Sequence, residues 1–128
     1  MATWDDVARL ALALPGTEEA TSYGHRAWKV AAKTFVWDRP LSKADISRFE
    51  GELPSGPLLA AAVDGLAEKE AVLAAHPDVI FTIVHFNSYP AVLIRLDEID
   101  AETLEETITD AWLARAPEQL VADYLAER

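Results

Sequence analysis

The spacing of apolar residues changes period along this chain, and that change restricts the fold more than any other feature. Near the N-terminus Trp4, Val7, Ala8, Ala11 and Leu14 recur at helical spacing, with Leu10 beside them. Thr3 supplies an N-cap, and Asp5 and Asp6 fall in the first turn, where carboxylates complement the helix dipole. Pro15-Gly16 stops the helix, and 17–24 reads as a connector. Two strand-like runs follow, 27–31 and 34–37. With Ala32-Lys33 as a two-residue turn they make a hairpin. In that register Val30 faces Phe35 and Trp28 faces Trp37, all four on one face. Lys29 and Val36 take the other face, and Arg26 lies across from Arg39 at the open end.

The later segments alternate in the same way. Residues 40–57 carry three prolines, two glycines and three serines, and read as a long surface excursion with a helical turn near Lys43 to Phe49. Leu58 to Val63, bounded by Pro57 and Asp64-Gly65, reads as a short buried strand; its alanines make helix the rival. Leu66 to Ala75 is a helix stopped at His76-Pro77. Val79 to His85 and Ala91 to Leu96 are strands about a tight turn at Asn87-Ser88. Asp100 caps a helix with Leu104, Ile108, Ala111 and Trp112 on one stripe. Pro117 opens a last helix with Leu120, Val121, Tyr124 and Leu125 inward. This order predicts an α+β fold, an antiparallel sheet with helices packed on one face.

A chain of 128 residues fits one domain, 1–128, with room for a real core. It has no cysteine, which excludes disulfides, thiolate metal sites and a cysteine nucleophile. The start, Met1-Ala2-Thr3-Trp4-Asp5-Asp6, does not resemble a signal peptide, and no apolar run is long enough to span a bilayer. A cytoplasmic protein without membrane contact is expected.

Charge is distributed unevenly. From His25 to Arg48 six cations face two carboxylates, while the remainder has five cations against twenty carboxylates; the whole chain carries −11. Such an acidic protein repels nucleic acid in general, so any polyanion must meet this one segment. Lys33 at the hairpin tip, Lys29 on the same wing, and Arg26 and Arg39 at its open end are the candidate phosphate contacts. Trp28 and Trp37 are candidates for base stacking. The plainer reading packs both indoles under the helices and lets the cations snorkel.

His85 stands beside Tyr89, with Arg95 and Trp37 as candidate neighbours. An imidazole there can bind an anion or move a proton, or simply bond the turn backbone. His25, His76 and His85 are scattered and form no metal-binding run, so no metal or other cofactor is expected. Glycine-rich phosphate loops and nucleophile elbows are absent, so no catalytic residues are assigned.

The order Leu14-Pro15-Gly16, Tyr23-Gly24, Trp28-Lys29-Val30, Lys33-Thr34-Phe35, Glu68-Lys69-Glu70-Ala71, Phe81-Thr82, His85-Phe86, Tyr89-Pro90-Ala91-Val92-Leu93 and Asp110-Ala111-Trp112 resembles the MmcQ/YjbR family over nearly the whole chain. The resemblance implies an α+β sandwich related to bacterial frataxin and a double-wing, DNA-binding role without enzymatic activity. One wing would be the first hairpin, with Lys29 and Lys33. The other would be the strands joined by Asn87-Ser88, with Arg95 and His85. The frataxin link would ask for an acidic first helix to hold iron; here that helix offers only Asp5 and Asp6. The expected partner is DNA, bound weakly and salt-sensitively through Arg26, Lys29, Lys33, Arg39 and Arg95. The alternative is a small molecule or a protein in a groove near Trp37, His85 and Tyr89. The chain permits a monomer or a dimer.

Overall fold

The computed structural model describes residues 2–127. Helix α1 (Trp4–Leu12) begins as its sequence demands. The Thr3 hydroxyl accepts from the Asp6 amide, and the Asp6 carboxylate accepts from the Thr3 amide, satisfying two end donors reciprocally. Val7 and Ala11 are buried beneath it.

The sheet has six strands, all antiparallel: β1 (Thr17–Ser22), β2 (His25–Val30), β3 (Lys33–Asp38), β4 (Leu58–Ala62), β5 (Ile80–Phe81) and β6 (Ala91–Arg95). Their order across the sheet is β1-β2-β3-β4-β6-β5. The segment expected to be a connector is thus strand β1. Its sequence, Thr-Glu-Glu-Ala-Thr-Ser, has no apolar alternation. Main-chain pairing with β2 holds it at the sheet edge, joined through a two-residue turn with positive φ at Tyr23 (51°) and Gly24 (81°).

The β2–β3 turn lies at Ala31-Ala32, one residue earlier than the expected Ala32-Lys33. Val30 pairs with Lys33, Lys29 with Thr34 and Trp28 with Val36, which leaves Phe35 as a bulge. Phe35 and Val36 both enter the main core, whereas Trp37 emerges on the opposite face. The two indoles expected on one face therefore lie on opposite faces. The period of a strand is two, so a one-residue slip reverses every side chain beyond it.

The remaining helices are α2 (Lys43–Arg48), α3 (Gly65–Ala75), α4 (Ala101–Arg115) and α5 (Glu118–Ala126). Residues of α1, α3, α4 and α5 pack on the main core with Trp28, Phe35, Leu59, Ile94 and Trp112. Burying each such large side chain contributes about 1.5–3 kcal/mol. The Trp112 indole N–H donates to the Pro15 carbonyl at 3.0 Å, tying α4 to the end of α1. Leu120, Val121 and Tyr124 face inward as their spacing predicts, but Leu125 is exposed.

The second sheet face is not bare. Phe86, Ile83 and Trp37 pack with Leu41, Phe49 and Phe81 over Ala60, Ala91 and Leu93. Leu41 and Phe49, on either side of α2, and a 3-10 turn (Val84–Phe86) supply this cover. The long strand expected over 79–85 shrinks to the two residues of β5, and the chain then bends into that turn. The second hairpin is a folded-over cover and not a projecting wing.

Ala31 and Ala32 both hold positive φ, 49° and 67°, which an alanine Cβ disfavours. Replacing the pair by Asn-Gly is expected to stabilise the protein by about 1 kcal/mol, read from the urea midpoint. An unchanged or lower midpoint would contradict this turn geometry.

Candidate functional site

On the second face, a groove of about 860 Å³ lies over β3 and the start of β2, between residues 39–42 and the 84–90 turn. Its floor includes Thr34 and Trp37, and its walls include Leu41, Phe86 and Tyr89. His25, Asp38 and Arg39 lie at one end, and Arg115 lines it from the end of α4. Tyr23, at the tip of the β1–β2 turn, is almost fully solvent-exposed at its rim.

The arginine wall follows from local sequence. Pro40 ends β3, and Ser42 then caps α2 in a reciprocal box with Asp45. Asp45 is buried and meets the Arg39 guanidinium at 3.0 Å. Burial alone would raise this carboxyl, but the Ser42 bonds and Arg39 outweigh it and hold it below its ordinary value. Arg39 also donates to the Pro40 carbonyl. So fixed, its guanidinium lies 5.6 Å from the Phe86 ring centre.

The aromatic wall depends on a buried lysine. Lys69 on α3 is 4% exposed. Its ammonium donates to the Phe86 carbonyl and, at 2.9 Å, to the Tyr89 carbonyl. Those bonds fix both ends of the turn that carries the rings. Burial pushes the lysine pKa down. Phe86 sits 5.6 Å from Tyr89 and 6.4 Å from Trp37, ring centre to ring centre, and His85 flanks Phe86 at 6.0 Å. Arg115 reaches within 5.9 Å of the Tyr89 ring. At the other end His25 Nδ1 lies 3.7 Å from the Asp38 carboxylate. Burial raises the Asp38 carboxyl, with His25 and Arg26 pulling it down.

Trp37, His85 and Tyr89, the three groove residues expected from the sequence, line this one groove. Arg95 does not join them. It sits on β6 over the Phe81 ring at 4.8 Å, and β4 and β3 separate it from β2. Sequence reasoning did not bring Phe86, Arg115, His25 or Asp38 to the groove.

The basic segment is dispersed. Arg26 is clasped by Glu19 in a two-pronged pair at 2.7 and 3.0 Å, and Arg39 by Asp45. Lys29 stands opposite Glu18 on the neighbouring strand. Lys33 is exposed and has no ion pair among the described residues. Trp28 is fully buried against Trp4, so it offers no face to a base. Among the described residues no group of three or more His, Cys, Asp or Glu is placed to hold a metal ion, and no helix is long and apolar enough to cross a membrane.

An antiparallel six-stranded sheet with helices on both faces defines the class of fold. The YjbR family model matches residues 12–114, and the chain belongs to that family. The uncharacterised proteins Rv2570 of Mycobacterium tuberculosis and Mb2600 of Mycobacterium bovis are each 47% identical to it, over 98% of both chains. The crystal structure of Deinococcus radiodurans protein DR2400, with family-model domain DUF419, superposes with a TM-score of 0.64 at 24% identity, over 88% of this chain and 78% of that one. That likeness shows the fold.

Two substitutions test how the walls are built. Lys69→Met removes the ammonium from two carbonyls that then keep one backbone donor each, from the Tyr89 and Ala91 amides, and should lower stability by about 1–3 kcal/mol in urea unfolding. A loss below about half a kcal/mol would mean that the ammonium does not hold the turn. The lowered Asp45 carboxyl contributes stability that is present above its unfolded value and is lost as pH falls through its folded value. The melting-temperature gap between the native protein and Asp45→Asn should therefore be full near about pH 6 and shrink below about pH 4. A gap constant with pH would refute the pairing.

Proposed function

We propose that this protein is a non-catalytic binding module whose groove takes a small organic ligand. The observation that carries the reading is convergence. Trp37 and Arg39, then His85, Phe86 and Tyr89, then Arg115 come from three separate segments and line one concavity of about 860 Å³. That volume and its aromatic lining suit ligand sites, which are concave, mostly apolar and equipped with a few fixed polar groups. A binding role is favoured because Arg39 is committed to Asp45 and so serves to fix the wall.

Double-wing DNA binding fits this geometry less well. Its five proposed contacts would give a log-log salt slope near roughly −4.5. Arg26 and Arg39 already hold carboxylates, and Arg95 lies on a different strand pair. Any duplex binding should thus show a slope shallower than about −2.

A metabolite library screened by thermal melting tests the groove. A ligand at a hundred times its Kd stabilises by about 2.7 kcal/mol, a rise on the order of 10 °C for a chain of this size. His85→Ala and Tyr89→Ala should abolish the rise. A library without a single hit, alongside steep salt-dependent duplex binding that Lys33→Glu removes, would replace this reading with the DNA-binding one.

A further inference from the structure

The groups in the groove are not equivalent, and their differences define a ligand. Arg39, Phe86, Tyr89 and Arg115 form one row, each aromatic ring under its own guanidinium: 5.6 Å for Arg39 over Phe86, 5.6 Å between the rings, and 5.9 Å for Arg115 over Tyr89. Trp37 flanks the row, 6.4 Å from Phe86. The two arginines differ in what already holds them. Asp45 and the Pro40 carbonyl take Arg39, whose charge is thereby balanced. Arg115 has no ion pair among the described residues. It presents a planar fork of donors, the geometry that matches a carboxylate or a phosphate.

We infer that the groove binds a planar aromatic anion, its ring lying against Trp37 and Tyr89 and its carboxylate or phosphate held by Arg115. This inference rests on the groove reading and adds the class of ligand. The chemistry is complementary at each end. Flat rings stack on aromatic walls, and the half-buried guanidinium of Arg115 lies where an anion on such a ring would reach it. The surrounding protein is strongly acidic, so a simple anion has little reason to approach. Selection must therefore come from ring and charge together. Arg115 is the specificity-determining residue, and Trp37 and Tyr89 supply affinity shared by neutral rings.

Calorimetry with simple probes separates these roles. The probes are 2-naphthoate, 2-naphthyl phosphate, neutral 2-naphthamide, and acetate and inorganic phosphate as ions without a ring. At least one naphthyl anion should bind about tenfold or more tightly than naphthamide, and the ringless ions more weakly still. Which of the two binds better identifies carboxylate or phosphate as the headgroup. Arg115→Gln should bring the ratio of anion to naphthamide affinity down to near one, while Arg115→Lys keeps part of the preference. Tyr89→Ala should weaken every naphthyl probe. Melting curves of each variant confirm that it remains folded.

Equal binding of naphthoate and naphthamide, both weakened by Tyr89→Ala and indifferent to Arg115→Gln, would overturn the anion and leave the groove standing. If no naphthyl probe binds, the aromatic-anion class is overturned, and the library screen alone decides the groove.

Discussion

Strand β4 has to be buried on both sides, and much of the molecule follows from that. All five of its residues, Leu58 to Ala62, are buried. Three of them are alanines. On one face Leu59 and Ala61 meet the main core, where α4 crosses close to β3 and β4. On the other, Ala60 lies beneath Phe86 and Trp37. Small side chains let a helix backbone approach one face and aromatic rings lie low over the other. A strand of leucines would hold both layers off, and packed interiors tolerate such changes poorly. The second cover is a short helix and a turn, too small to roof the whole face. The uncovered part, over β3 and the start of β2, is the groove.

The electrostatics follow the same architecture. The local excess of cations in the sequence is in part taken up by carboxylates, at Arg26 and Arg39. The antiparallel pairing of β1 with β2 brings Glu19 to Arg26 and Glu18 to Lys29. The cap of α2 brings Asp45 to Arg39. A carboxylate within hydrogen-bonding reach cancels most of the field that a distant phosphate would feel. Within the groove the charge is local and directional: a guanidinium fixed against Phe86 at one point and a second over Tyr89 at another.

The site was partly legible before the fold. His85, Tyr89 and Trp37 stand next to turn or strand-end signals, and all three line the groove. Lys69 left a trace that sequence reading passed over. It sits three residues after Leu66 and three or four before Val72 and Leu73, on a stripe where a charge is out of place unless it has a buried role. Arg115 left none. It is distant in sequence from Tyr89, and only the direction of α4 across the sheet brings its guanidinium to that ring.

The sequence by itself determined most element types: helices where apolar residues recur at helical spacing or caps occur, and strands where they alternate, with 58–63 left open between strand and helix. These are local properties, set by propensity and capping within a few residues. Tertiary structure decided what depends on pairing between distant segments. It made Thr17–Ser22 a strand although its composition gives no strand pattern, and it moved a turn by one residue and inserted the Phe35 bulge, which put Trp28 in the core and Trp37 in the groove. Register is a relation between two strands and the core they share, so neither strand's own sequence can specify it alone.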